Sequence, residues 1–174
     1  MNSISRVALG ALGGAVGALA MTVYNKRVAP LVTSGKNAHL PDQHSVAPLG
    51  QLHAPGESSA AAVGRLAYEA AKGRNAPREA RESLGEQVHW GMGIASGAVY
   101  GLLTRDLNLL TSLGFSMTLW VLVDEGLLPL AGLHDGPAGD SVAGHASRLA
   151  SHLAYGAGLG LTVLALQNGK SADR

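Results

Sequence analysis

Four stretches of the chain contain no aspartate, glutamate, lysine or arginine, and each is rich in apolar residues. They are 17 to 21 residues long and cover Val7 to Asn25, Gln87 to Thr104, Leu107 to Val123 and Leu149 to Gly169. At about 1.5 Å of rise per residue, a helix of roughly 20 residues crosses a hydrocarbon core about 30 Å thick. No stretch alternates polar with apolar residues, as the strands of a membrane barrel do. The pattern predicts an all-α integral membrane bundle of about four transmembrane helices.

Helix-breaking and charged residues divide the rest of the chain. We predict a single membrane domain over residues 1–174, with spans at about 7–25, 87–104, 107–128 and 142–166. The prolines and glycines of residues 28–56 predict an irregular loop, because these residues do not sustain a helix. The mixed charges of residues 57–86 predict amphipathic helices at the membrane surface. Ser58 or Ser59 is the expected cap of the first of them, and Gly73 its expected stop.

The first span leaves one alternative open. Arg6 precedes the apolar run, and Ala18-Leu19-Ala20 resembles the small-residue cleavage site of a secretory signal. The uncharged run continues through Tyr24, however, which is longer than the usual apolar region of a signal, and its glycines recur at helix-packing spacing. We therefore favour a retained span.

Composition and motifs remove several classes of function. The chain has no cysteine, which excludes disulfides, iron–sulfur clusters and thiolate zinc sites. Its formal net charge of +1 and the lack of a basic stripe in the sequence predict no binding to nucleic acid. The sequence contains no nucleophile elbow, phosphate-binding loop or H-E-x-x-H motif, so we predict that the protein is not an enzyme. Its predicted partner is the lipid bilayer.

Glycines recur at a spacing of four residues in three of the predicted spans. The pairs and rows are Gly10 with Gly14, Gly13 with Gly17, Gly93 with Gly97 and Gly101, and Gly156 with Gly160. In lipid, helices associate through close approach of their backbones, which small residues permit. We favour packing within one protomer, and a homo-oligomer through these glycine-rich faces is the alternative.

Titratable residues within a span are costly in lipid, so each needs a partner or a purpose. Counted from the turn at Arg105-Asp106, His89 lies at a height of roughly 23 Å, Asp124 at roughly 26 Å and His152 at roughly 21 Å. The remaining members of the predicted polar cluster lie a little higher or continue the same helix face. The full candidate cluster is His89, Asp124, Glu125, His145, Arg148, His152 and Tyr155. Its four residues on the last span follow the spacing i, i+3, i+7, i+10, which is one face of a helix.

Several interpretations of this cluster are open. In a structural role, Arg148 pairs with Asp124 or Glu125, and the network fixes the helix register. A proton or ion pathway uses the same residue types, and the three histidines with a carboxylate could instead bind a transition metal. Two of the histidines could also ligate haem. We favour a structural or regulatory role, which requires no cofactor.

Residues outside the candidate cluster complete the inventory of polar groups. Asn25, at the end of the first span, reaches the same predicted level as the cluster. The other histidines lie among prolines and glycines, where a solvated surface histidine is expected, and they are His39, His44, His53 and His134.

Three segments resemble a known family. They read VHWGMGIASGAVYGLL at residues 88–103, LWVLVDEGLLPLAGL at residues 119–133 and HASRLASHLAYG at residues 145–156. In this order they are similar to the YagU-like family of bacterial inner-membrane proteins. The resemblance covers roughly residues 57–166 and implies a multi-pass protein of the bacterial cytoplasmic membrane, without implying a particular activity. The family's motif positions correspond here to His89, Asp124, Glu125, His145, His152 and Tyr155.

Overall fold

The computed structural model describes residues 2–33, 47–48, 50–137, 139 and 141–172. These residues form seven α-helices and two π-helical segments, and no strand occurs among them. The α-helices are α1 (Ser3–Val23), α2 (Ala29–Thr33), α3 (Ser59–Lys72), α4 (Arg78–Leu103), α5 (Leu109–Leu119), α6 (Leu128–Leu130) and α7 (Val142–Ala172). The π-helical segments are Tyr24–Val28, between α1 and α2, and Trp120–Leu127, between α5 and α6. The predicted all-α class is confirmed.

Three helical stretches of the described chain are long and apolar enough to cross a membrane. They are Ser3–Val32, Leu109–Leu130 and Val142–Gly169. The predicted span over residues 87–104 is not among them. It forms the last part of α4, where Gln87, His89 and several glycines dilute the apolar side chains.

The first helical stretch is longer than predicted. Asn2 caps α1, because its side-chain oxygen accepts a hydrogen bond of 2.8 Å from the amide of Ser5. At the other end, the chain passes through the π-helical segment Tyr24–Val28 into α2, which ends at Thr33. Pro30 lies in α2, directly after the π-helical segment. The predicted loop therefore begins later than residue 28, and residues 34–46 lie outside the described residues.

Capping residues set the ends of α3. The Ser58 hydroxyl accepts a hydrogen bond of 3.2 Å from the amide of Ala61. At the other end Gly73 adopts φ +64°, and its amide donates to the carbonyl of Glu69 at 2.9 Å. A left-handed residue at this position favours glycine, so both predicted boundary signals are confirmed.

The described residues divide into two compact units. The first unit comprises the described residues within Met1–Asn37, Met92–Trp120 and Ala143–Arg174. The second unit comprises the described residues within Ala38–Gly91 and Val121–Val142. Helix α4 contributes its first part to the second unit and its last part to the first unit.

In the first unit, α1 packs on the last part of α4 through glycines. A Cβ atom added to Gly14 would collide with the carbonyl oxygen of Gly93, and one added to Gly97 would collide with that of Gly10. A Cβ atom added to Gly101 would likewise collide with the carbonyl oxygen of Arg6. The missing side chains therefore allow the two backbones to touch over about three helical turns.

The neighbouring face of α1 packs on α7. A Cβ atom on Gly13 would lie 2.9 Å from the carbonyl oxygen of Leu159, and one on Gly17 would lie 2.8 Å from the ring of Tyr155. Helix α7 in turn places Gly156 and Gly160 against the serine hydroxyls of α5. The core between these helices consists of Tyr100, Leu107, Tyr155, Leu159 and Val163.

In the second unit, α3 packs on the first part of α4. A Cβ atom on Gly64 would lie 2.8 Å from the backbone of Leu84, and one on Gly85 would lie 3.1 Å from Ala61. Arg65 holds the chain before α3 in place, because its guanidinium donates to Glu57 at 2.9 Å and to the carbonyl of Leu52 at 2.6 Å.

Candidate functional site: the polar residues of helix α7

Arg148 connects two histidines along one face of α7. Its Nη2 lies 2.9 Å from Nδ1 of His145. A guanidinium can only donate hydrogen bonds, so Nδ1 of His145 accepts this one and its proton in the neutral ring resides on Nε2. The side chains of His145, Arg148 and His152 are all half-buried. The predicted spacing therefore does place these residues side by side.

His152 is oriented by the backbone of its own helix. Its Nδ1 lies 3.1 Å from the carbonyl oxygen of Arg148. A carbonyl oxygen can only accept, so Nδ1 carries the hydrogen and Nε2 is left as the basic atom of the ring. This backbone contact resembles the one that fixes the tautomer of histidines that bind metals or transfer protons.

A second polar contact joins α7 to the π-helical segment Tyr24–Val28. The hydroxyl of Ser151, which is 3% exposed, donates a hydrogen bond of 2.9 Å to the side-chain oxygen of Asn25. The sequence places Asn25 near the polar level but gives no reason to single out Ser151. The available signal is its position beside His152 in an uncharged stretch, which is a weak one.

Tyr155 contacts α4 through its hydroxyl. This hydroxyl donates a buried hydrogen bond of 2.7 Å to the carbonyl oxygen of Gly93, and the residue as a whole is 4% exposed. Its ring lies against Gly17 of α1. Tyr155 thus ties three helices of the first unit together, whereas the prediction treats it only as a member of the polar stripe.

The other predicted members belong to the second unit. His89 lies on α4, half-buried, with its ring edge-on to that of Trp90 at a centroid separation of 6.3 Å. Asp124 and Glu125 are half-buried in the π-helical segment Trp120–Leu127. That these three residues meet the polar stripe of α7 stays a prediction.

Two of the loop histidines have defined contacts, so the prediction of solvated rings is wrong for His53. Its side chain is only 6% exposed, and its two ring nitrogens contact Gly132 and Asp135. The Nδ1 of His134 accepts a hydrogen bond of 3.1 Å from the amide of Gly136. The remaining two, His39 and His44, lie outside the described residues.

Candidate metal ligands are not grouped in threes in the described part of the chain. Among those residues, no group of three or more histidine, cysteine, aspartate or glutamate side chains could hold a metal ion. The stripe on α7 offers two imidazoles and a guanidinium, and a guanidinium does not bind cations.

Comparison with protein families, curated proteins and solved structures finds no match for this chain.

Proposed function

We propose that the chain is a multi-pass protein of the bacterial inner membrane, in which polar side chains on and around α7 hold the helices together and give the protein a structural or regulatory role. The observation that carries this proposal is the buried hydrogen bond from Tyr155 to Gly93. It is accompanied by the bond from Ser151 to Asn25 and by the 2.9 Å contact from the Ser112 hydroxyl to the carbonyl of Gly156.

The physics of helix association in lipid supports this role. Lipid tails are as apolar as leucine, so close packing and hydrogen bonds between helices must supply the association energy. The described contacts of α7 provide both, with glycine against backbone and hydroxyl against carbonyl. Large apolar side chains point outward instead, among them Leu12 at 57% exposure, Leu110 at 80% and Leu161 at 55%.

The packing of α4 supports a fourth span. Its last part touches α1 backbone to backbone from Gly93 to Gly101, and α1 belongs to a stretch that can cross a membrane. The side chains of Met92, Val99 and Leu102 on the same part of α4 are exposed by 51%, 45% and 57%. An apolar outer face of this kind is suited to lipid, although glycines and His89 lower the hydropathy of the helix.

Cysteine labelling tests the fourth span directly, because the natural chain has no cysteine. We expect a Val99→Cys variant in intact membranes to resist a water-soluble maleimide, since the lipid covers that position. The matched control, Lys72→Cys, lies at the exposed end of α3 and should react in permeabilised cells. Equal reaction rates at the two positions would reject the four-span arrangement.

A second candidate function, handling of protons or a metal, is favoured by the orientation of His152. The hydrogen bond from its Nδ1 to the Arg148 carbonyl fixes the orientation and the tautomer of the neutral ring. Glutamine at this position can keep a hydrogen bond but cannot take up a proton near neutral pH. His152→Gln therefore separates the two functions.

The experiment compares wild type, His152→Gln and the control His134→Gln after reconstitution in liposomes. The structural role predicts equal stability and equal proton leak for all three, and no stoichiometric zinc, iron or haem in the purified protein. A proton flux that His152→Gln alone abolishes, or a bound metal that it alone removes, would replace the structural role by the second candidate. A double-mutant cycle of His152→Ala with Asp124→Ala asks whether these residues are coupled, as predicted from their heights.

A further inference from the structure

His53 is held in the second unit by contacts on both sides of its ring. Its Nδ1 lies 3.0 Å from the carbonyl oxygen of Gly132, and its Nε2 lies 2.9 Å from Oδ1 of Asp135. The side chain of His53 is 6% exposed and that of Asp135 is 21% exposed. Little water can therefore replace either contact.

Both ring nitrogens of His53 face groups that accept hydrogen bonds. A carbonyl oxygen has no proton to give, so Nδ1 must donate to Gly132. A carboxylate likewise only accepts, so Nε2 must donate as well. A neutral imidazole has one N–H and can satisfy only one of these contacts. The geometry thus requires one additional proton, shared between Nε2 of His53 and Oδ1 of Asp135.

We propose that His53 and Asp135 form a proton-dependent clasp, which holds the segment before α3 against the turn after α6 and loosens as the pH rises. The clasp joins Gln51–His53 to Gly132–Asp135. Binding of one proton closes it, so mass action favours the closed form at lower pH.

The backbone around the ring is shaped for this contact. The amides of Leu52 and His53 donate to the same Gly132 carbonyl at 2.8 Å and 3.1 Å. Gly132 adopts φ +72°, and a Cβ atom there would collide with the carbonyl oxygen of Gly50. The two segments can therefore approach only because residue 132 is glycine.

The other charged groups described around the clasp do not supply the missing proton. On α3, Arg65 donates to the Leu52 carbonyl, and its charge is matched by Glu57 and Glu69, at 2.9 Å and 3.3 Å. His134 directs its Nδ1 to the amide of Gly136. From the segment before α3, the side-chain amide of Gln51 donates a neutral hydrogen bond of 3.3 Å to Asp135.

Hydrogen exchange of two backbone amides measures the clasp, because the amides of Leu52 and His53 are part of it. The experiment uses the full-length protein in lipid nanodiscs at about pH 5.5 and about pH 8.5, which bracket the histidine range. Exchange rates are corrected for the intrinsic effect of pH and compared with the amide of Gly73, which caps α3. We expect the protection of Leu52 and His53 to fall roughly tenfold or more at the higher pH, as loss of a charge-assisted hydrogen bond implies.

Variants show whether His53 is the responsible group. His53→Gln should give low protection at both pH values, and Asp135→Asn should reduce the ratio between them. His134→Gln, on the neighbouring histidine, should leave the ratio unchanged. Equal protection of the wild type at both pH values would overturn the proposal. So would a pH effect that survives both His53→Gln and Asp135→Asn, or one that disappears only in His134→Gln.

Discussion

The hydroxyl of Tyr155 donates a hydrogen bond of 2.7 Å to the carbonyl oxygen of Gly93, joining α7 to α4 inside the first unit. The contact depends on a second glycine, because a Cβ atom on Gly17 would lie within 2.9 Å of the Tyr155 ring. The glycine face of α1 therefore gives the tyrosine the space it needs to reach across to α4. The hydrogen bond from α7 to α4 therefore depends on the close packing of α7 against α1.

Removal of this hydroxyl should destabilise the protein. In Tyr155→Phe the buried hydrogen bond is lost while the ring contacts stay, so we expect the free energy of unfolding to fall by about 0.5–1.5 kcal/mol. Steric trapping in bicelles measures this change. The control Tyr68→Phe, on a half-buried tyrosine of α3, should change stability by less. A Tyr155→Phe variant as stable as wild type would show that the bond adds nothing to the packing of the ring.

Two glycines of α4 should respond in opposite directions to the same substitution. Gly97→Ala introduces a Cβ atom where it meets the backbone of Gly10 and Gly14, so α1 and α4 must separate. We expect a loss of about 1–3 kcal/mol, which is typical of overpacking. Gly91→Ala should be neutral or slightly stabilising, because the new Cβ would meet nothing within 4 Å beyond the adjoining backbone of its own helix, and alanine favours a helix. Equal losses for both variants, in the same unfolding assay, would exclude this account of the α1–α4 contact.

The ion pair of Glu57 with Arg65 should make the free energy of unfolding depend on pH in the acidic range. The hydrogen bond from the Arg65 guanidinium holds the pKa of the Glu57 carboxyl below its ordinary value of 4.5. Because the pKa of Glu57 is lower in the folded state than in the unfolded state, the ionised carboxylate stabilises the fold above the ordinary pKa. This stabilisation is lost as the pH falls through the lowered pKa of the folded state. We expect wild type to lose more stability than Glu57→Gln between roughly pH 5 and pH 3.

Thermal unfolding of the two proteins across this range measures the difference. The control Glu79→Gln, which removes an exposed carboxylate from the first turn of α4, should follow the wild-type profile. Parallel profiles for wild type and Glu57→Gln would contradict the assignment.

Ser151 and Asn25 should be energetically coupled. Ser151→Ala and Asn25→Ala each remove the 2.9 Å hydrogen bond between α7 and the segment Tyr24–Val28. We expect a coupling energy of about 0.5–1.5 kcal/mol in a double-mutant cycle, in line with hydrogen bonds between membrane helices. The pair Thr162→Ala and Asn25→Ala is a matched control, since the Thr162 hydroxyl bonds to its own helix at Gly158. Additive effects in the first cycle would show that the contact is not maintained in lipid.

Local signals in the sequence predict much of the fold. Ser58 and Gly73 bound α3 because a side-chain cap and a left-handed glycine are properties of single residues. The glycine rows predict close helix contacts, although the spacing does not reveal the partner of each row. That Gly93 and Gly97 face α1 follows only from the three-dimensional arrangement.

The candidate site is predictable only where it depends on helical spacing. His145, Arg148 and His152 follow that spacing, and the structure joins them on α7. His53 is missed, because its burial results from a turn that is distant in sequence and contains Asp135. The role of Ser151 is likewise missed, since a serine without a distinctive pattern looks the same at a contact as elsewhere.

The two π-helical segments have a consequence for how these helices can change length. Each residue of an α-helix advances by about 100° around the helix axis. A π-helical turn holds one extra residue, so it rotates the side chains that follow it around the axis while the helix continues. Tyr24–Val28 and Trp120–Leu127 are such turns. A one-residue deletion in either segment can therefore be absorbed by conversion to a regular α-helix, with the glycine contacts of α1 and the serine contacts of α5 kept. One-residue deletions should therefore be tolerated better in these two segments than in the α-helices beside them.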